Sequence, residues 1–244
     1  MTTPQFTIAG RFNGPKDSAN GGYACGRVAA FIDGPARVRL LVPPPLDVAL
    51  DVVENGANAV EVRFGDMPVA RAWPAGDPPG DVPDPPTFDE AVAASRHYSG
   101  FVTHRYSTCF VCGVDRERDD GLHIFAGPLD KGGGHGTPGI VACGFTPRVE
   151  LASDQSHLDP VYVWSVLDCP GGFAFPHPED GTILLGELSV WQRAPVRVGE
   201  PHVIVAWEID RDGRKHRTGT ALFASDGECR AVGEGLWFEV FRTR

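Results

Sequence analysis

The sequence predicts an α+β protein built from two copies of one unit, in which an antiparallel sheet wraps a central helix. Three observations carry this expectation. Two mostly apolar segments of helical character occur, at 20–32 (NGGYACGRVAAFI) and 161–168 (VYVWSVLD); each is followed by a run of strand-like alternation; and a proline-rich stretch, PAGDPPGDVPDPP at 74–86, divides the two runs. A helix that is apolar around most of its circumference is a buried helix, and a curved antiparallel sheet can bury all of it. At 244 residues the chain is long for one compact unit and comfortable for two, since domains commonly run to roughly 100–150 residues.

In the first half, Phe6 to Phe12 reads as a strand. The helix at 20–32 stops at Asp33-Gly34-Pro35. Ala36 to Val42 then alternates, with Val38, Leu40 and Val42 on one face, and Leu46 to Val53, Ala57 to Phe64 and Pro68 to Trp73 continue the pattern. Asn55-Gly56 and Gly65-Asp66 are hairpin-type breaks between them. The stretch at 74–86 has no bulky apolar residue except Val82 and reads as a linker. Thr87 and Glu90 have capping-box spacing at the head of a short helix that includes Phe88, Ala91, Val92 and Ser95.

The second half repeats the order. Gly139 to Phe145 is a strand; Asp159-Pro160 is a helix start, with Asp at the N-cap and Pro at the first helical position; Pro170-Gly171-Gly172 ends or kinks the helix. Strands follow at Ile183 to Arg193, Pro201 to Ile209, Arg217 to Ala224 and Cys229 to Phe241, with turns at Asp212-Gly213 and Asp226-Gly227. Identity between the halves is slight, so the repeat rests on element order. The expected division is a first unit at 1–73, linker and short helix at 74–98, and a second unit at 99–244.

Apolar residues make up 42% and charged residues 22% of the chain, so a sizeable core is available. The net charge of −10 and the lack of a basic run argue against nucleic acid as a partner. No run approaches the ~18 apolar residues of a membrane span, and Met1 to Gly10 does not read as a secretory signal. The six irregularly spaced cysteines are then expected as reduced thiols in a cytoplasmic protein.

Cys109 to Phe125 reads CFVCGVDRERDDGLHIF. It resembles the CFxCGxxxxxxGLxLxF opening of hotdog thioesterases of the phenylacetyl-CoA and related types. Val166-Leu167-Asp168 resembles their Leu-Leu-Asp-Glu-like segment on the central helix. The pair of halves is similar to acyl-CoA thioesterase II, a tandem (double) hotdog. Asn20-Gly21-Gly22-Tyr23 followed by Gly26 looks like that family's Gly-Gly-Gln…Gly-Gln helix start. Ser189-Val190-Trp191 resembles its Ser-Met-Trp strand, and Gly233-Glu234-Gly235 its Gln-Glu-Gly segment. The chain departs from the family where Cys169 follows the aspartate, where Pro170 interrupts the helix, and where Leu185 replaces a polar residue that helps hold water.

The resemblance implies an acyl-CoA or other acyl-thioester as substrate, with Asp168 at the catalytic carboxylate. Thioester hydrolysis needs a polarised carbonyl and an activated water. Unpaired N–H groups at a helix N-terminus supply the first, and Asn20-Gly21-Gly22 suits that task because glycine admits a close approach to the backbone. A carboxylate such as Asp168 supplies the second, as general base or nucleophile. The alternative for Asp168 is a helix-end carboxylate paired with Arg or Lys on the sheet, and for Asn20-Gly21-Gly22 a plain loop and N-cap. Tyr23, Glu234, Trp164 and Trp191 are the candidates for substrate contact, with an outward-facing strand position as the alternative for Glu234 and core packing as the alternative for both tryptophans. A reciprocal site is expected to be degenerate, because Ala24, Gly26, Arg27 and Val28 occupy its carboxylate positions.

Cys109 and Cys112 form one CxxC. With no second CxxC or paired His beside it, and only His104 and His123 nearby in sequence, no metal site is expected, and no cofactor either. His157 precedes the second helix, as a loop residue or a donor in the second, degenerate site. Gly132 to Gly136, GGGHG, lacks the Gly-Lys-Ser/Thr ending of a phosphate loop and reads as a hairpin loop. Arg211, Arg214 and Lys215 read as a solvated turn, with CoA phosphates as the alternative contact. Further copies of the chain are expected to pair, where they do, through sheet packing. Two other function classes fit the same residues: a binding protein for acyl-thioesters or lipids that has lost turnover, and a scaffold with structural zinc at Cys109 and Cys112.

Overall fold

The computed structural model describes residues 3–129 and 139–241; the glycine-rich run at 132–136 lies outside the described residues. One continuous antiparallel sheet contains strands β1 (Gln5–Thr7), β2 (Ala36–Leu40), β3 (Ala49–Glu54), β4 (Val60–Phe64), β5 (Met67–Pro74), β6 (Gly127–Pro128), β7 (Ile140–Phe145), β8 (Gly181–Gln192), β9 (His202–Asp212), β10 (Lys215–Ala224) and β11 (Cys229–Phe241). Their order across the sheet is β1-β3-β4-β5-β2-β8-β11-β10-β9-β7-β6. The strands of the two halves therefore occupy opposite ends, and the halves join where β2 pairs with β8, with Val38 opposite Leu188.

The helices are α1 (Gly21–Ala29), α2 (Phe88–Ser95), α3 (Pro160–Val166) and the single turn α4 (Cys169–Gly172). α1 and α3 lie side by side against one face of the sheet, in a core that includes Val28, Val38, Val62, Val163, Val166 and Leu188. α2 covers the opposite face of the second half, where Ala91 and Ala94 pack with Val205, Trp207, Phe223 and Val232. Its start is the expected capping box, with Thr87 and Glu90 bonded reciprocally.

The two-residue β6 was not expected; the other observed strands agree with the expected ones to within a few residues except at the first. There β1 stops at Thr7 and Gly10–Phe12 forms a 3₁₀ turn, with the Gly10 N–H held by Asp47 Oδ1 at 2.9 Å. α1 is shorter than expected, ending at Ala29. The second central helix breaks earlier than Pro170-Gly171-Gly172 suggested, since Leu167 and Asp168 already leave the helix. Proline lacks the N–H that would bond four residues back and its ring crowds that turn, so Pro170 displaces the break to the residues before it. The proline-rich stretch lies on the sheet: Trp191 Nε1 donates to the Gly76 carbonyl at 2.8 Å, and Val82 packs on the α2-side cluster.

Two glycines set the distance between α1 and α3. A Cβ at Gly22 would stand 2.4 Å from Asp168 Cβ and 2.7 Å from the Trp164 carbonyl oxygen, and one at Gly26 would stand 2.9 Å from Trp164 Cβ. The helices touch backbone to backbone at these positions, which brings the kink after α3 against the first turn of α1.

Candidate active site

Asn20 caps α1 in a way that serves both helices. Its side-chain Oδ1 accepts from the Tyr23 N–H at 2.9 Å, the usual N-cap bond. Its Nδ2 donates to Asp168 Oδ2 at 2.9 Å, and the Gly22 N–H donates to the same oxygen at 2.8 Å. Asp168 therefore docks on the positive end of α1. Among the described residues no Arg or Lys forms an ion pair with it.

The other oxygen, Asp168 Oδ1, is buried and has no hydrogen-bond partner. A buried acceptor left unpaired costs about 1–3 kcal/mol and marks a site that can accept a ligand group. Burial pushes the carboxyl up from 3.8 to about 7, against the two hydrogen bonds from Gly22 and Asn20, while the nearby Cys109 adds to the rise. A carboxyl in that range can gain and lose a proton near neutral pH.

Asp168 lies in the wall of a cavity of ≈ 290 Å³ that runs between the halves. Asn20, Gly21 and the segment Leu40 to Pro44 line it from the first half. Thr103 to Tyr106, Cys109, Cys112, Cys169, Phe173, His177, Leu185 and Phe238 line it from the second. Three N–H groups of the first turn of α1 are spoken for: Gly22 by Asp168, Tyr23 by Asn20 Oδ1, and Ala24 by the Asn20 carbonyl. The Gly21 N–H has no partner among the described residues, and Gly21 lines the cavity. Of the expected glycine pair, Gly22 thus holds the aspartate, and Gly21 is the one left without a backbone partner.

The remaining sequence candidates lie elsewhere. Tyr23 and Trp164 line a second cavity of ≈ 640 Å³ with Gly26, Arg27, Asp159 and Pro160. Glu234 pairs with Gly219, whose missing side chain points at the Trp207 ring on the α2 side, so strand alternation turns Glu234 away from the helices. Trp191 pairs with Val232 and faces the same way. His157 bonds Asp154 at the surface. Arg211 pairs with Glu239, and neither it nor Arg214 nor Lys215 lines the cavity that holds Asp168.

The second cavity sits at the reciprocal place, against the start of α3. Its first helical residue is Pro160, which has no N–H to offer. Its carboxylate, Asp159, is occupied as N-cap by the Val161 N–H at 2.9 Å. The two places are therefore chemically unequal.

Sequence reasoning missed Cys169 as a partner of the CxxC. It stands 60 positions from Cys109, yet their sulfurs are 3.9 Å apart. It also missed Arg105, which is exposed, lines the Asp168 cavity and has no ion-pair partner among the described residues. His104 lines the cavity as well: its Nδ1 accepts from the Tyr106 N–H at 3.0 Å, which leaves Nε2 as a donor between the Tyr98 hydroxyl at 2.8 Å and the Cys112 carbonyl at 3.0 Å.

No protein-family model matches the chain, and no curated protein matches its sequence. Solved structures do. A putative thioesterase from Novosphingobium aromaticivorans superposes with a TM-score of 0.60 at 12% identity, over 98% of this chain and 95% of that one. Acyl-CoA thioesterase II TesB2 from Mycobacterium marinum gives 0.59 at 11% identity, over 98% and 93%. The fold is a double hotdog. A tesB protein of Mycobacterium avium subspecies paratuberculosis gives 0.57 at 15% identity, over 92% and 89%. The double hotdog expected from the sequence is thereby met over nearly the whole chain. No helix among the described residues is long and apolar enough to cross a membrane.

Proposed function

We propose that this chain is a thioester hydrolase acting on an acyl-CoA-class substrate in the cavity between its halves. The observation that carries the proposal is the buried Asp168 carboxylate, with one oxygen anchored by Gly22 and Asn20 and the other unpartnered, in the same cavity wall as the free Gly21 N–H. Asp168 takes the proton of a water as that water attacks the thioester carbon. The Gly21 N–H, at the positive end of α1, stabilises the charge that develops on the carbonyl oxygen. The carbon–sulfur bond then breaks, the departing thiolate takes the proton back from Asp168, and the products are a carboxylic acid and the free thiol. Arg105, exposed in the lining of the same cavity, is the cation that would meet a CoA phosphate. The solved neighbours named as thioesterases support the same reaction class.

The test is release of free thiol from a panel of acyl-CoAs of different chain length. Turnover that disappears in Asp168→Ala protein, with the far-ultraviolet circular dichroism unchanged, supports the proposal. Turnover that survives the substitution refutes the role of Asp168. Saturable acyl-CoA binding without turnover by the unmodified chain favours a binding protein.

A further inference from the structure

We propose that Cys109, Cys112 and Cys169 together form a binding site for a thiophilic divalent cation of the zinc class, in the cavity wall beside Asp168. The three sulfurs lie within 4.8 Å of one another and all three side chains are buried. Cys109 Sγ and Cys169 Sγ are 3.9 Å apart. Sulfurs bound at about 2.3 Å to one tetrahedral zinc stand roughly 3.8 Å apart, whereas a disulfide requires about 2.05 Å.

The surroundings are those of a metal thiolate. The CxxC segment closes in a tight turn, with the Gly113 N–H on the Cys109 carbonyl at 2.9 Å, and a Cβ at Gly113 would collide with that turn at 2.4 Å. Asn20 Nδ2 adds contacts of 3.7 Å to Cys109 Sγ and 3.6 Å to Cys169 Sγ. Donors aimed at sulfur orient it and stabilise its charged form, as outer-shell partners of a bound metal do.

His104 supplies no ligand, since both of its ring nitrogens are engaged. Three protein ligands leave one tetrahedral position for an exchangeable ligand, and all three cysteines line the cavity. The Asp168 carboxylate, with its unpartnered Oδ1, stands next to the cluster: Oδ2 is 4.0 Å from Cys169 Sγ. Binding releases one proton per thiol and ties the CxxC turn to the junction of α3 and α4. The site is argued from sulfur geometry and holds whether or not the chain hydrolyses thioesters.

The experiment is elemental analysis of the reduced full chain purified without chelator, followed by chelation and titration with cobalt(II). Stoichiometric zinc is expected, and the cobalt form is expected to show intense thiolate-to-cobalt absorption with the visible bands of a tetrahedral site. Cys169→Ser should weaken cobalt binding by about tenfold or more and cut the charge-transfer intensity, while Cys143→Ser, at a buried cysteine outside the cluster, should leave both unchanged. Cobalt binding without thiolate absorption in the unmodified chain overturns the proposal even if the Cys169 variant fails to fold. Equal binding by the Cys143 and Cys169 variants overturns it too.

Discussion

Replacing Asp168 by Asn should remove hydrolysis and at the same time stabilise the fold above neutral pH. Burial raises this carboxyl from 3.8 to about 7. The difference is about 3 units, and each unit corresponds to about 1.36 kcal/mol, so keeping the group ionised inside the fold costs about 4 kcal/mol. Between those two values the folded chain holds the proton and the unfolded chain releases it. Stability attributable to this group is therefore full below about pH 4, falls as pH rises, and reaches its floor above about pH 7. An asparagine has no such dependence. Its amide oxygen can accept from Gly22 and Asn20 as Oδ2 does, and an unpartnered polar group occupies the other position in either protein, so that cost cancels to within about 1 kcal/mol. In chelator-treated protein, the stability of the variant relative to the parent should thus improve by about 3–4 kcal/mol from about pH 4.5 to about pH 8. Urea unfolding at the two pH values measures it. A gap that is the same at both, or that widens against the variant at high pH, refutes the raised carboxyl and with it the account of Asp168 as a base poised near neutrality.

Other substitutions separate the roles of the neighbouring groups. Asn20→Ala removes a bond that favours the ionised carboxylate, so the pH midpoint of turnover should move upward, while loss of the helix cap costs about 1 kcal/mol in thermal unfolding. Gly22→Ala drives a methyl group into Asp168 and the Trp164 carbonyl, and should cost about 1–3 kcal/mol of stability by overpacking together with most of the activity. Arg105→Ala should raise KM for acyl-CoAs and leave kcat unchanged; the matching N-acetylcysteamine thioesters, which lack the CoA phosphates, should show no change in KM. Equal effects on both substrates contradict a phosphate contact.

The architecture was legible because it is written in period and punctuation. Val38, Leu40 and Val42 alternate, Asp33-Gly34 and Gly65 mark turns that the structure keeps, with positive φ at both glycines, and Asp159-Pro160 starts a helix as its chemistry dictates. Asp168 and Asn20 were legible as types of residue at helix ends. What could not be read was pairing across the fold. Glu234 and Trp191 looked like site residues in a linear motif, but a side chain on a strand faces one way or the other according to register, and register follows from the β8–β11 and β10–β11 pairs. Cys169 escaped for the same reason: its partners are distant in sequence and meet it only through the kink before Pro170.

That kink explains why one of two similar places became chemically distinct. Both halves supply a central helix, and both helix starts carry a capping side chain, Asn20 in one and Asp159 in the other. After the first cap comes Gly21, which leaves an N–H free at the cavity; after the second comes Pro160, which has none. At the other end of each helix the difference runs the same way. α1 continues through Cys25 and Gly26, close-packed on Trp164, with no carboxylate facing the start of α3. The α3 helix breaks at Leu167 and Asp168 because Pro170 cannot continue it, and the break swings a carboxylate onto the Gly22 N–H. Restoring a helical bond with Pro170→Ala should pull Asp168 back toward the helical path and away from Gly22. The asymmetry thus comes down to two prolines, one that removes a donor from the reciprocal place and one that delivers an acid to the other.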